Sequence, residues 1–118
     1  MLSLPSSVQI YLATEPTDMR KGFDSLGALV KAYGLDVFSG HLFVFVSKRR
    51  NRAKILVWDR GGFVLYYKRL ERGRFRLPLL RGETVKLDAA QLTMLLDGVD
   101  LRHVRRNCVW KPPKEKST

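Results

Sequence analysis

Leu42-Phe43-Val44-Phe45-Val46-Ser47-Lys48-Arg49-Arg50-Asn51-Arg52-Ala53-Lys54-Ile55-Leu56-Val57-Trp58-Asp59 sets two apolar runs on either side of Lys48–Lys54, seven residues of which five are basic. Each run has the length of a strand and is rich in the β-branched and aromatic residues that suit a pleated, packed surface. The stretch reads as two strands, Leu42–Ser47 and Lys54–Asp59, joined by a basic loop. Arg60-Gly61-Gly62 then turns the chain into a third strand, Phe63–Leu70, and Arg72-Gly73 into a fourth, Arg74–Leu77. Turns between apolar runs at this spacing predict an antiparallel meander. In Leu42–Val46 and Phe63–Tyr67 both faces are apolar, so these strands are expected to be covered on both sides. A helix on one side with a second subunit or sheet on the other satisfies that pattern, and so does a second helix.

Working outward, Val8–Ala13 reads as a first strand and Glu83–Leu87 as a short last one. Asp18 has the character of a helix N-cap. Phe23, Leu26, Leu29, Val30 and Tyr33 follow at helical spacing, and Gly34 is the natural stop. The spacing predicts a helix over about Met19–Tyr33, which Gly22 and Gly27 weaken and tertiary packing must hold. Asp88-Ala89-Ala90-Gln91 has the pattern of a capping box, and Leu92, Leu95 and Leu96 continue it as a second short helix, about Ala89–Asp97. The expected architecture is a single α+β domain over residues 1–108. An antiparallel β-meander of four to six strands is packed by one main helix and a second short helix, and residues 109–118 form a basic flexible tail.

Composition bounds the function. A 45% hydrophobic chain of 118 residues builds one core and excludes global disorder. No stretch approaches the ~20 apolar residues of a membrane span. Met1–Pro5 lacks the basic region and apolar segment of a signal peptide, and the single Cys108 has no partner for an internal disulfide, so a cytoplasmic protein is expected. The 22 Lys and Arg against 11 Asp and Glu give a net charge of +11. That charge is unevenly placed: three basic residues face four acidic ones before Lys48, and nineteen face seven from Lys48 onward. A compact surface of this sign attracts polyanions, of which nucleic acid is the commonest. An acidic protein surface and an anionic membrane are the competing partners. No basic amphipathic helix stands out to favour the membrane.

Four segments in order carry a resemblance: Thr17-Asp18-Met19-Arg20-Lys21-Gly22-Phe23-Asp24, Phe38-Ser39-Gly40-His41-Leu42-Phe43-Val44-Phe45, Lys54-Ile55-Leu56-Val57-Trp58-Asp59 and Lys68-Arg69-Leu70-Glu71-Arg72-Gly73-Arg74-Phe75. Together they resemble the small accessory protein TnpB of insertion-sequence-sixty-six type transposable elements, over roughly residues 3–102. The resemblance implies a role in transposition beside a separate, larger transposase. It implies no catalytic set. The RNA-guided nuclease that shares the label is a different and much longer protein, and nothing in this chain matches its catalytic domain.

The main candidate site is the basic loop, Lys48, Arg49, Arg50, Arg52 and Lys54. A two-stranded ribbon fits a DNA major groove, where Arg bonds guanine edges. Gripping phosphates alone, contact with an acidic transposase surface, and a plain solvated loop are the other readings. Asn51 suits the loop tip, where unusual backbone angles are tolerated. A second cluster is Lys68, Arg69, Arg72, Arg74 and Arg76, with Glu71 expected to pair with one of them. Arg72, Arg74 and Arg76 share a face if the strand is continuous, although Gly73 argues for a turn. Arg20 and Lys21 fall in the first turn of the expected helix, against its dipole, which suggests either an anion site or an Arg20–Asp24 pair. Asp18, Asp24, Asp59, Asp97 and Asp100 have the type but not the spacing of a two-metal nuclease centre. His41, His103 and Cys108 are too scattered for structural zinc. No metal or cofactor is expected.

The expected function is a non-catalytic DNA-binding accessory protein, acting at DNA such as the element's ends together with its transposase. The charge pattern accommodates RNA as readily as DNA. A protein adaptor and a small metal-dependent nuclease are the alternatives, and a homodimer remains open.

Overall fold

The structure, a computed structural model, describes Pro5 and residues 7–98. Five strands and two helices follow the order β1 (Ile10–Ala13), α1 (Phe23–Ala32), β2 (Leu42–Val46), β3 (Arg52–Asp59), β4 (Gly62–Arg69), β5 (Thr84–Leu87), α2 (Ala89–Asp97). They form one five-stranded sheet in the order β4-β3-β2-β1-β5. The expected tail and the residues Asp100, His103 and Cys108 lie outside the described residues.

The sheet is mixed, which corrects the meander. β2, β3 and β4 do run antiparallel in sequence order, but β1 pairs parallel to β2, with Ile10 opposite Leu42, and β5 pairs antiparallel to β1 on its far side. The cause lies in α1. A helix between two strands carries the chain back along the sheet, so the next strand starts from the same end as the last. The expected strand Arg74–Leu77 does not form either. A left-handed Gly73 bends the chain, and residues 75–81 cross the sheet as irregular backbone.

Both faces of β2 are buried, as its sequence requires, with every residue from Leu42 to Val46 in the core. One face carries Phe43, Phe45 and Leu56 against Leu26 and Val30 of α1. The other carries Leu42, Val44, Val46 and Ile55 against Leu92 and Leu95 of α2 and Phe75 of the irregular segment. For β2 the second cover is therefore supplied within the chain. β4, at the sheet edge, is not covered on both sides as its sequence predicts: none of its residues is fully buried, and Tyr66 and Tyr67 are exposed. At roughly 25 cal/mol per Å² of apolar surface, each such fully buried Leu or Phe contributes about 2 kcal/mol, so two short helices suffice to close a sheet of this size.

The helix ends show why the elements stop where they do. After Ala32, Gly34 adopts φ +79 and donates to Lys31 O at 2.9 Å, while Leu35 donates to Val30 O at 3.1 Å. This is a Schellman closure, which needs the left-handed residue that glycine supplies without strain. At α2 both halves of the capping box form: Gln91 N–H donates to Asp88 Oδ1 at 2.7 Å, and Asp88 N–H donates to Gln91 Oε1 at 2.8 Å. The start of α1 differs from expectation. Gly22 is its N-cap, with no side-chain bond, and the helix begins at Phe23 rather than Met19. Asp18 instead receives the backbone N–H of Arg20 at 2.9 Å and closes a turn ahead of the helix. Among the described residues, no helix is long and apolar enough to cross a membrane.

Candidate nucleic-acid interface

The basic loop is shorter and more rigid than the sequence suggests, because β3 starts at Arg52 rather than Lys54. Ser47 N–H donates to Arg52 O at 2.9 Å, Arg52 N–H to Ser47 Oγ at 3.2 Å, and Arg50 N–H to Ser47 O at 2.9 Å. The left-handed residue at the tip is Arg50, with φ +61, and not Asn51. A non-glycine residue there costs of order 1–2 kcal/mol, so the surroundings must hold it. They do: Phe75 N–H donates to Arg50 O at 2.6 Å, and Leu70 N–H donates to Asn51 O at 2.8 Å. Phe75 is itself a core residue, 2% exposed. The loop backbone is thus clipped to the chain that follows β4, and its exposed side chains project from a fixed base.

Two depressions flank the loop. Lys48, Arg49, Arg50 and Arg74 line one of about 620 Å³, with no carboxylate among them. Lys48, Arg49, Arg52, Arg20, Asp18 and Tyr67 line the other, about 420 Å³, together with Met19, Ser47 and Asn51. Three regions far apart in sequence therefore meet at the loop: the turn before α1, the hairpin, and the residue after Gly73. On the sheet, Arg52 and Arg69 stand directly opposite each other in register, so their side chains share the face that α1 covers further along. Arg69 is balanced by Glu71 at 3.2 Å, as expected of that glutamate.

Other expected site residues are placed elsewhere. Lys54 is buried on β3, and its Nζ donates to Met19 O at 2.7 Å and Lys21 O at 2.8 Å. Its ammonium is committed within the fold and is not presented to a phosphate. Its partners also explain the late start of α1: the carbonyls of Met19 and Lys21 are taken by Lys54 instead of the helical ladder. Lys68 lies on the opposite face, donating to Leu96 O at the end of α2, 2.8 Å away. Arg72 and Arg76 are exposed but line neither depression, since no continuous strand aligns them with Arg74. Lys21 precedes α1 and contributes its carbonyl rather than its charge.

Arg20 pairs with Asp18, not Asp24. Its Nη2 lies 2.8 Å from Oδ2 and its Nε 3.1 Å from both carboxylate oxygens. The Arg20 side chain and then its backbone N–H hold the Asp18 carboxyl at about 2, below its usual 3.8, and the carboxylate raises Arg20 in turn. Both groups are solvent-facing, so the pair orients the guanidinium more than it stabilises the fold. Asp24 stands in the first turn of α1 and Asp59 at the β3–β4 turn. Among the described residues, no group of three or more His, Cys, Asp or Glu is placed to hold a metal ion. His41 Nδ1 accepts from Gln9 N–H at 3.0 Å, just ahead of β2.

Sequence reasoning missed Tyr67 and Phe75. Tyr67 ends an apolar run that reads as covered, and Phe75 stands between Arg74 and Arg76 in a stretch that reads as a charged strand. Only the register that sets Tyr67 opposite Lys54, and the chain reversal that brings Phe75 to Arg50, give them their places beside the loop.

The family described as IS66 Orf2 like protein matches residues 8–106 of this chain. Two relatives from Sinorhizobium fredii (strain NBRC 101917 / NGR234) align along nearly their whole length. "Uncharacterized protein y4hO" is 39% identical over 115 residues, covering 97% of this chain and 98% of the relative. "Uncharacterized protein y4jC" is 34% identical over 115 residues with the same coverage. No solved structure matches. The ordered motifs around the basic hairpin and this end-to-end correspondence place the chain in the IS66 Orf2 like family of insertion-sequence accessory proteins.

Proposed function

We propose that the protein is a non-catalytic DNA-binding accessory factor in transposition, working in the cytoplasm beside a separate transposase that performs the strand chemistry. The family supports the link to transposition. DNA is captured electrostatically by Lys48, Arg49, Arg50 and Arg52, with Arg74 and Arg20 flanking them. The observation that carries this reading is the depression lined by Lys48, Arg49, Arg50 and Arg74, four cations without a carboxylate, three of them on a loop held by backbone hydrogen bonds. Cations on a rigid base lose little freedom when they meet phosphate, so less of the attraction is spent on ordering.

The test is a salt titration of duplex binding, with element-end and random DNA, for the protein and for its Arg49→Gln/Arg50→Gln/Arg52→Gln variant. If Lys48, Arg49, Arg50, Arg52 and Arg74 each displace a counterion, the log–log slope is about −4.5, and affinity falls about 500-fold between 50 and 200 mM salt. The variant keeps about two, giving a slope near −1.8 and a fall of only about tenfold. An unchanged slope in the variant refutes the assignment to this loop. A transposase pull-down that survives nuclease treatment, with no gel shift at moderate salt, moves the loop's partner to an acidic protein surface.

A further inference from the structure

Tyr67 is an exposed aromatic in a cationic groove, and its position is fixed from beneath. It stands opposite Lys54 in the β3–β4 register, and Lys54 Nζ lies over its ring, 5.2 Å from the centroid. That ammonium is itself held by the carbonyls of Met19 and Lys21. Tyr67 nevertheless remains 54% exposed and lines the 420 Å³ groove with Arg20, Lys48, Arg49 and Arg52. A hydrophobic ring left this open has no role in the core. A cation over one face draws the ring's π density toward itself and leaves the other face less negative, which favours stacking on an electron-rich base.

An aromatic platform flanked by phosphate-binding cations is the arrangement by which proteins hold single strands, because every base offers a π-face. In a duplex those faces are covered by neighbouring bases, so a side chain stacks only on a base that is unpaired or extruded. The groove's volume falls within the about 300–1,000 Å³ of sites for ligands of that size. Asp18 is the one carboxylate among the described residues that line it, and its Arg20 partner offsets it.

Resting on the DNA-binding reading above, we propose that this groove takes an unpaired nucleotide, its base stacked on Tyr67 and its flanking phosphates on Arg49 and Arg52. The ligand class is then single-stranded or frayed DNA, held beside the duplex that the loop engages.

The experiment measures binding of the full chain by fluorescence anisotropy to three labelled probes: a short single strand, the same strand with abasic sites, and the corresponding duplex. Tyr67→Ala is expected to weaken single-strand binding about five- to a hundred-fold without changing its salt slope, since a ring releases no counterion. Tyr67→Phe keeps the affinity. Tyr66→Ala, the neighbouring exposed residue on the other face of β4, is neutral. The abasic strand binds the unaltered protein as weakly as the normal strand binds Tyr67→Ala. Equal affinity for the normal and abasic strands, or no effect of Tyr67→Ala on the single strand, overturns the inference while leaving duplex capture standing. Parallel losses on strand and duplex also overturn it, since they make Tyr67 a support for the loop. Failure of every probe to bind at low salt removes the DNA-binding reading itself.

Discussion

Lys54→Met tests whether a lysine inside the sheet sets the geometry of the cationic surface. Lys54 is 9% exposed and makes two hydrogen bonds to backbone carbonyls, at 2.7 and 2.8 Å, with Tyr67 over its ammonium. Hydrogen bonds to a charged group are each worth about 1.5–3 kcal/mol, and a cation–π contact about 0.5–1 kcal/mol more. Methionine has a similar length, leaves no cavity and recovers some apolar burial. Met19 and Lys21 are only half-buried, so water reaches part of what is lost. No opposite charge is left stranded, which keeps the loss below the ~3–5 kcal/mol of a broken buried ion pair. The expected net loss is about 2–3 kcal/mol, a fall in Tm of roughly 10–20 °C at about 4–8 °C per kcal/mol. Urea unfolding followed by circular dichroism measures it, with Lys21→Met, which keeps the accepting carbonyl, as the near-neutral control. Hydrogen exchange in residues 18–22 is expected to rise in the Lys54 variant alone. A change within about 0.5 kcal/mol, or equal effects of the two substitutions, would show that Lys54 is not the strap that ties this segment to the sheet.

Other outcomes follow from the same geometry. The Asp18 carboxyl is expected to titrate at about 2 by NMR and to return toward 3.8 in Arg20→Gln. Because the folded value is depressed, whatever the pair adds to stability is present above the ordinary value and is lost as the pH falls from there through about 2. Gly27→Ala, in mid-α1 with only Val37 Cγ2 near, at 3.9 Å, raises stability by about 0.5–1 kcal/mol in chemical denaturation. Gly98→Ala lowers it by about 2–4 kcal/mol, since φ is +73 with ψ −174 and a new Cβ meets Leu70 Cδ1 at 2.6 Å and Arg74 O at 3.1 Å. A gain in the second or a loss in the first would contradict the placement of those backbones.

The two helix ends show what was legible locally. Asp88 and Gln91 recognise each other across one turn, so the capping box is readable from spacing and forms as read. Asp18 carries the same kind of local signal, yet the helix starts later because a lysine 33 residues from Lys21 takes the carbonyls that the first turn would use. The β2–β3 hairpin is likewise plain from its apolar flanks, whereas the parallel pairing of β1 with β2 depends on where α1 lays the chain down. The strand expected at Arg74–Leu77 fails because Phe75 bonds to Arg50 and buries in the core instead of pairing along an edge.

Composition and periodicity by themselves determined that this chain builds one α+β domain, that its hairpins turn where they do, and that its excess of positive charge begins at Lys48. These are properties of residue types and short spacings, and they survive any arrangement in space. Tertiary structure alone decided which cations act together. It gathered Arg20, the Lys48–Arg52 loop and Arg74, took Lys54 inside, and turned Lys68 to the far face. Charge is written along the sequence, but an electrostatic surface is set by distance, and distance is fixed only when strand register and chain reversals are complete.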